Sequence, residues 1–172
     1  MNRYQDLQVE DYERVVRCDN DLLGFTAWAA VHNTYRGPAL GGCRLWSYPS
    51  DEAALNDVLR LSRAMTYKNS LAELPLGGGK SVIRAEPREV DRESLFEAIG
   101  ELVEYLEGAY IIAEDVNSTL ADMAIIKRKT DHVATVGGSG NPSPLTAYGV
   151  YCGITTCVEY RLGRKTLKGV TV

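Results

Sequence analysis

Only two histidines and four cysteines occur among the 172 residues, and neither type is grouped. Cys18, Cys43, Cys152 and Cys157 form no CxxC pair, and His32 and His132 lie far apart in the chain. This spacing argues against a zinc site or a disulfide framework, so no metal is expected and four buried thiols are the simpler expectation. No run of eighteen apolar residues is present, and the opening MNRYQDLQVEDYE has no apolar signal core. A cytoplasmic protein without a membrane span is the resulting expectation. Positive charge is not in excess: 19 Lys and Arg against 23 Asp and Glu leave a net charge of −4. Neither nucleic acid nor an anionic membrane is favoured as a partner. Internal repeats and low-complexity segments are lacking too.

What is present suits an ordinary core, with 45% hydrophobic and 24% charged residues in a length that suggests one domain or slightly more. Asp11–Cys18 and Gly24–Val31 read as strands of a hairpin turned at Asp19-Asn20-Asp21. Leu40–Trp46 is a short strand entered through a glycine pair. A helix follows, with Ser50 as N-cap, Asp51 and Glu52 in its first turn, and its end near Asn69–Ala72. Lys80–Arg84 is predicted as a strand, Asp91–Leu106 as a helix closed by Gly108, and Tyr110–Ala113 as a strand. A third helix is predicted with Ser118 as its cap, then a loop over Gly137–Pro144, a helix over Thr146–Tyr160 and the start of a strand at Leu167–Val172. Strands alternating with helices indicate an α/β fold, and the early hairpin makes the sheet mixed.

The stretch Met65–Lys80, MTYKNSLAELPLGGGK, carries two lysines and a glycine triplet. Three glycines between a turn and a strand are costly in backbone entropy, which suggests a close approach to the backbone. Gly79-Lys80-Ser81 matches the tail of a phosphate loop, but that motif needs a glycine at 74, which is leucine. Gly138-Ser139-Gly140 fails as a dinucleotide fingerprint because position 143 is serine. Two lysines facing one small-molecule pocket have a different use. One, Lys68, stays charged and pairs with a carboxylate; the other, Lys80, is desolvated, has its pKa lowered and moves protons. Asp115 follows a strand end, where loop residues of α/β sheets often do chemistry. A lone lysine is more often a solvated charge and a lone aspartate a helix cap, so spacing alone leaves both readings open.

Gly37–Trp46 (GPALGGCRLW), Met65–Ile83, Ala113–Val116 (AEDV) and Gly140–Val150 (GNPSPLTAYGV) together resemble the glutamate/leucine/phenylalanine/valine dehydrogenases, nearest the leucine-specific members. The resemblance implies NAD-dependent oxidative deamination of an L-amino acid to the 2-oxo acid and ammonia, by a homo-oligomer. It implies that Lys68 binds the substrate carboxylate with the backbone amides of Gly41 and Gly42. In the same way Lys80 assists water attack on the imine carbon, Asp115 exchanges protons with the amine, and Thr146 touches the nicotinamide carboxamide. Thr146 serves equally well as a helix N-cap. Glutamate-specific relatives carry a lysine where this chain has Leu40. An apolar wall there, with Ala113 beside it, would strip water from a side-chain carboxylate without pairing it. An aliphatic substrate is therefore expected. Leucine, valine and isoleucine differ by methylenes worth only about 1–3 kcal/mol, so the choice among them stays open.

The segment between Asp131 and Gly140 is shorter than in leucine dehydrogenases, and Glu73 stands where many relatives have a small residue. The resemblance implies a substrate-binding and oligomerisation domain over 1–145. Residues 146–172 would be an interdomain helix and the first strand of a truncated dinucleotide-binding domain, whose main NAD site lies outside the chain. The alternative is a stand-alone oligomerisation or ligand-binding module that has lost catalysis. Tyr4, Tyr12 and Trp28 are interface anchors or ordinary core residues. On the dehydrogenase reading, the 172-residue chain alone is expected to show no measurable NAD-dependent oxidation of leucine. A spectrophotometric assay of NADH formation checks this, and activity of the isolated chain contradicts it.

Overall fold

The computed structural model describes residues 1–134 and 143–171. The chain divides into two compact units, Met1–Gly138 and Ser139–Val172. In the first, a six-stranded sheet runs in the order β1-β2-β3-β5-β4-β6. Its strands are β1 (Arg3–Leu7), β2 (Arg14–Asn20), β3 (Phe25–Asn33), β4 (Ala39–Trp46), β5 (Gly77–Arg84) and β6 (Tyr110–Glu114). The pairs β1–β2, β2–β3 and β3–β5 are antiparallel, whereas β4 runs parallel to both β5 and β6. The sheet is mixed, as expected.

Its two faces are covered by different helices. Helix α1 (Asp51–Leu71) lies over Val15, Trp28, Ala30 and Val82, adding its own Ala54 and Val58. Helices α2 (Arg92–Glu104) and α3 (Leu120–Ile126) cover Ala27, Ala29, Cys43, Leu45, Ile83 and Ile112 on the other side. Alternation along β3 and β5 assigns neighbouring residues to opposite layers, and both layers are apolar. Trp28 is a core residue on the α1 face, with the Arg17 guanidinium above its ring.

Several sequence expectations need correction. Strand β1 is not evident from RYQDL, which lacks an apolar alternation; it forms by pairing with β2 and by stacking Tyr4 on Tyr105, ring centroids 4.4 Å apart. The glycine triplet does not precede β5 but begins it. A Cβ at Gly77 would lie 2.0 Å from the Asn33 carbonyl oxygen, one at Gly78 2.1 Å from the Thr66 nitrogen, and one at Gly79 2.6 Å from the Tyr110 ring. The close approach is thus made by the protein itself. Thr119, not Ser118, caps α3, in a reciprocal capping box with Asp122. Only Cys18 and Cys43 are buried, their thiols pushed up to about 12 chiefly by that burial; Cys152 and Cys157 are exposed.

In the second unit α4 spans Ser143–Leu162, so Thr146 lies inside the helix rather than at its cap. The loop expected over Gly137–Pro144 falls outside the described residues except for Ser143 and Pro144, which open α4. Leu167–Thr171 contains a turn, with Gly169 at φ +74°, and no strand. A strand exists only through a ladder partner, and this segment has none among the described residues; Val172 lies outside them.

Helix α1 ends in a Schellman motif: the Glu73 amide donates to the Ser70 carbonyl at 3.0 Å and the Leu74 amide to the Asn69 carbonyl at 3.0 Å. Glu73 occupies the left-handed position at φ +56°, where an L side chain costs about 1–2 kcal/mol and glycine is the preferred residue. Glu73→Gly is expected to raise the thermal midpoint by about 2–4 °C, as read by calorimetry. An unchanged or lower midpoint contradicts this.

Candidate active site

The site is assembled on the α1 face of the sheet. In the strand register Leu40 stands opposite Gly78 on one side and Ile111 on the other, Gly42 opposite Ala113, and Arg44 opposite Val82. Residues two apart on a strand share a face. The face that buries Val82 against α1 therefore also carries Leu40, Gly42 and Arg44 of β4, Lys80 of β5, and Ala113 and Asp115 at the end of β6. Most of the residues singled out in the sequence, from three separate stretches, thereby share one layer.

At its centre is an ion pair. Lys80 is only 5% exposed, and its Nζ lies 3.1 Å from Asp115 Oδ2. Burial pushes the lysine ammonium below its usual pKa and Arg44 pushes the same way, while Asp115 resists both. Burial pushes Asp115 upward, but the Lys80 charge and the hydrogen bonds from Lys80 and Arg44 outweigh it and hold the carboxyl below the usual range. Asp115 is fixed at the backbone as well. Its amide donates to Ser118 Oγ at 2.9 Å, and the Ser118 hydroxyl donates to the Cys43 carbonyl at 2.7 Å. The serine expected to cap α3 instead ties the Asp115 turn to β4.

The glycine pair has a defined steric role. A Cβ at Gly42 would lie 2.7 Å from Asp115 Cβ and 3.1 Å from Lys80 Nζ, so a side chain there would displace the ion pair. The β4–β5 pairing lapses between Leu40↔Gly78 and Cys43↔Ser81. The buried Tyr110 hydroxyl stands in that gap, 2.9 Å from the Gly41 carbonyl and 3.2 Å from that of Gly42, with Ser81 Oγ at 3.2 Å. Tyr110 donates to the carbonyls, and the Ser81 hydroxyl can donate to Tyr110. Sequence reading missed Tyr110, since a tyrosine opening a strand looks like any β residue.

Lys68 is placed differently. It stands exposed in the last turn of α1 and forms no ion pair with any described residue. Eleven residues earlier on the same helix stripe is Asp57, roughly 16 Å back along the axis. Asp57 Oδ2 accepts from Arg44 Nη1 at 3.0 Å and from the Tyr48 hydroxyl at 2.6 Å. A cavity of about 450 Å³ opens here, lined by Arg44, Trp46, Tyr48, Ala53, Asp57 and Val116. Arg44 and Asp57 also went unnoticed in the sequence. The available signal was Arg44 itself, a charge on the same face as Leu40 and Gly42 in an otherwise uncharged strand. Thr146 belongs to the other unit, in the first turn of α4. No cluster of metal-ligating residues occurs among the described residues.

Such a site can hold one neutralised carboxylate against an ammonium poised to lose its proton, which suits proton transfer to and from a bound molecule. Sign matters for its pH response. The lowered Lys80 pKa means the unfolded chain binds more protons than the native one between the native value and 10.5, so this group adds stability as pH rises through that window. The stability supplied by Asp115 is present above 3.8 and lost as pH falls through its depressed native value. Asp115→Asn removes the anion that opposes desolvation of Lys80. Lys80 is then expected to titrate at lower pH than in the unmodified protein, as read by NMR of labelled lysine; an unmoved or higher midpoint contradicts the pairing.

Residues 8–132 match the family described as Glu/Leu/Phe/Val dehydrogenase, dimerisation domain. The leucine dehydrogenase of Bacillus subtilis (strain 168) is 47% identical over 176 residues, covering 100% of this chain and 48% of its own length. The valine dehydrogenase of Streptomyces virginiae is 42% identical over 162 residues, covering 92% of this chain and 45% of its own length. Among solved structures, L-tryptophan dehydrogenase from Nostoc punctiforme superposes with a TM-score of 0.70 at 40% identity, over 91% of this chain and 45% of that one. The chain spans about half the length of the relatives it matches. With the matched region covering five of the six strands, β2 to β6, and the Lys80–Asp115 pair, the chain belongs to the Glu/Leu/Phe/Val dehydrogenase family.

Proposed function

We propose that this chain is the substrate-binding and oligomerisation part of an NAD-dependent L-amino-acid dehydrogenase. In this reading the enzyme is a cytoplasmic homo-oligomer that converts leucine or another branched-chain amino acid to its 2-oxo acid and ammonia. The observation that carries the reading is the buried Lys80–Asp115 pair, 3.1 Å apart, on the same face as Leu40, Gly42 and Ala113.

Each residue then has a task its surroundings support. Lys68, exposed and without an ion-pair partner among the described residues, pairs with the substrate α-carboxylate together with the backbone amides of Gly41 and Gly42. Asp115, ionised at neutral pH, accepts a proton from the substrate ammonium and leaves the amine free to become an imine. Lys80, whose ammonium releases its proton to solvent more readily than a solvated lysine, then accepts, as the neutral amine, a proton from the water that adds to the imine carbon. Leu40 and Ala113 supply an apolar wall for an aliphatic side chain, where a carboxylate would be desolvated and unpaired.

NAD would take the hydride from the substrate α-carbon. Thr146 of this chain would meet its nicotinamide carboxamide. The family's description as a dimerisation domain supports assembly through the first unit, and no helix among the described residues is long and apolar enough to cross a membrane.

In the complete polypeptide, Lys80→Ala is expected to lower kcat for leucine oxidation by about a hundredfold or more while circular dichroism stays native. A folded variant with near-native kcat would falsify the assignment of Lys80.

A further inference from the structure

Asp115 presents its two carboxylate oxygens unequally. Oδ2 receives both cations, Lys80 Nζ at 3.1 Å and Arg44 Nε at 2.9 Å. Oδ1 has no hydrogen bond to any described residue. Arg44 is itself held at its other end, where Nη1 meets Asp57 Oδ2 at 3.0 Å. That same Asp57 oxygen accepts the Tyr48 hydroxyl at 2.6 Å, and its partner oxygen accepts Arg60 Nη2 at 2.6 Å. A guanidinium is a rigid planar fork, so fixing one end fixes the direction of the other. Arg44 and Asp57 are both largely buried, with side-chain exposures of 22% and 16%, and both line the cavity beside Val116.

We propose that Arg44 is a positioning residue, clamped by Asp57, that locks Asp115 Oδ2 against Lys80 and presents Oδ1 as the oxygen that takes the proton from the substrate amine. This rests on the dehydrogenase reading of the site. The arrangement explains why an arginine beside the ion pair is itself so firmly held. Without Arg44 the carboxylate is free to turn about its Cβ–Cγ bond, and either oxygen can fall against Lys80. A carboxylate that swaps oxygens presents its free lone pairs in the wrong direction for part of the time.

The charged groups beside Asp115 are Lys80 from β5 and Arg44 from β4, with Asp57 of α1 and Tyr48 acting through Arg44, while Cys43 and Tyr110 belong to the core on the opposite face of the sheet. Burial pushes the Cys43 thiol and the Tyr110 hydroxyl up, so both stay neutral at physiological pH. The charge beside Asp115 is therefore supplied by Lys80 and Arg44. Removing Arg44 takes one cation from Asp115, which then titrates at higher pH. It also takes a like charge from Lys80, which does the same.

The test uses the complete polypeptide with Arg44→Met and Arg44→Lys, following the Asp115 carboxyl by carbon NMR, with Asp115→Asn to assign the signal. In Arg44→Met the Asp115 midpoint is expected to rise by ~1 pH unit, and kcat for leucine to fall about tenfold or more with KM changed much less. Arg44→Lys is expected to restore the carboxyl midpoint but only part of kcat, since one ammonium cannot span Asp115 and Asp57. An Asp115 midpoint unmoved in Arg44→Met overturns the proposal, as does a lower melting temperature with kcat and its pH profile unchanged, the result for a merely structural arginine. If Arg44→Met fails to fold, wild-type kcat in Arg44→Lys overturns it equally. A shifted carboxyl in a protein that oxidises no amino acid overturns the dehydrogenase reading and leaves the clamp on Asp115 standing.

Discussion

Burying one ammonium group is the constraint from which much of this structure follows. Lys80 sits in the middle of a sheet, between Ala30 of β3 and the glycine pair of β4, with almost no access to water. An isolated charge there is prohibitive, and the chain supplies an anion, Asp115, from the end of a different strand. One carboxylate between two cations, Lys80 and Arg44, leaves a surplus of positive charge, and Asp57 from α1 offsets it. A row of alternating charge thus crosses from β5 through β6 and β4 to α1. Each member is tolerable because the next is present, and the end of the row, at Asp57 and Arg60, reaches solvent.

The glycines make room for that row. Position 42 has no side chain because the space its Cβ would occupy belongs to Asp115 and Lys80. Positions 77 to 79 lack side chains because Asn33, Thr66 and the Tyr110 ring press on them. Tyr110 enters where the β4–β5 ladder lapses, and its hydroxyl donates to the Gly41 and Gly42 carbonyls. Steric permission and hydrogen-bond satisfaction are therefore supplied together: the small residues that admit the tyrosine also leave the backbone groups it serves.

Much of the fold was legible in the chain. The hairpin, the long helix with Ser50 at its start, and the alternation of later strands and helices all follow from periodicity and capping chemistry, which act over a few residues. What local patterns missed were elements defined by distant partners. Strand β1 has no apolar alternation and exists because β2 offers an edge and Tyr105 a ring to stack on. The segment after Leu167 has the composition of a strand but no partner among the described residues, and composition alone does not make a ladder. Ser118 and Thr119 both suit an N-cap, and the reciprocal bond to Asp122 decides for Thr119.

The sequence by itself determined the site's ingredients: a lysine after three glycines, an aspartate just past a strand, a glycine pair preceded by leucine, and the family those motifs resemble. It determined them because motif chemistry is carried by residue type and spacing along the chain. Only the tertiary structure decided that the glycine triplet is strand rather than turn, and that Asp115 bonds Lys80 through one oxygen while Arg44 grips the same atom. It also decided that Lys68 stands exposed in the last turn of α1. The physical reason is register: strand pairing brings residues 44, 80 and 115 within hydrogen-bond reach, and no spacing along a chain encodes which distant strand lies beside which. The two lysines with which the glycine stretch is framed are thus separated in kind, one buried and paired, the other exposed.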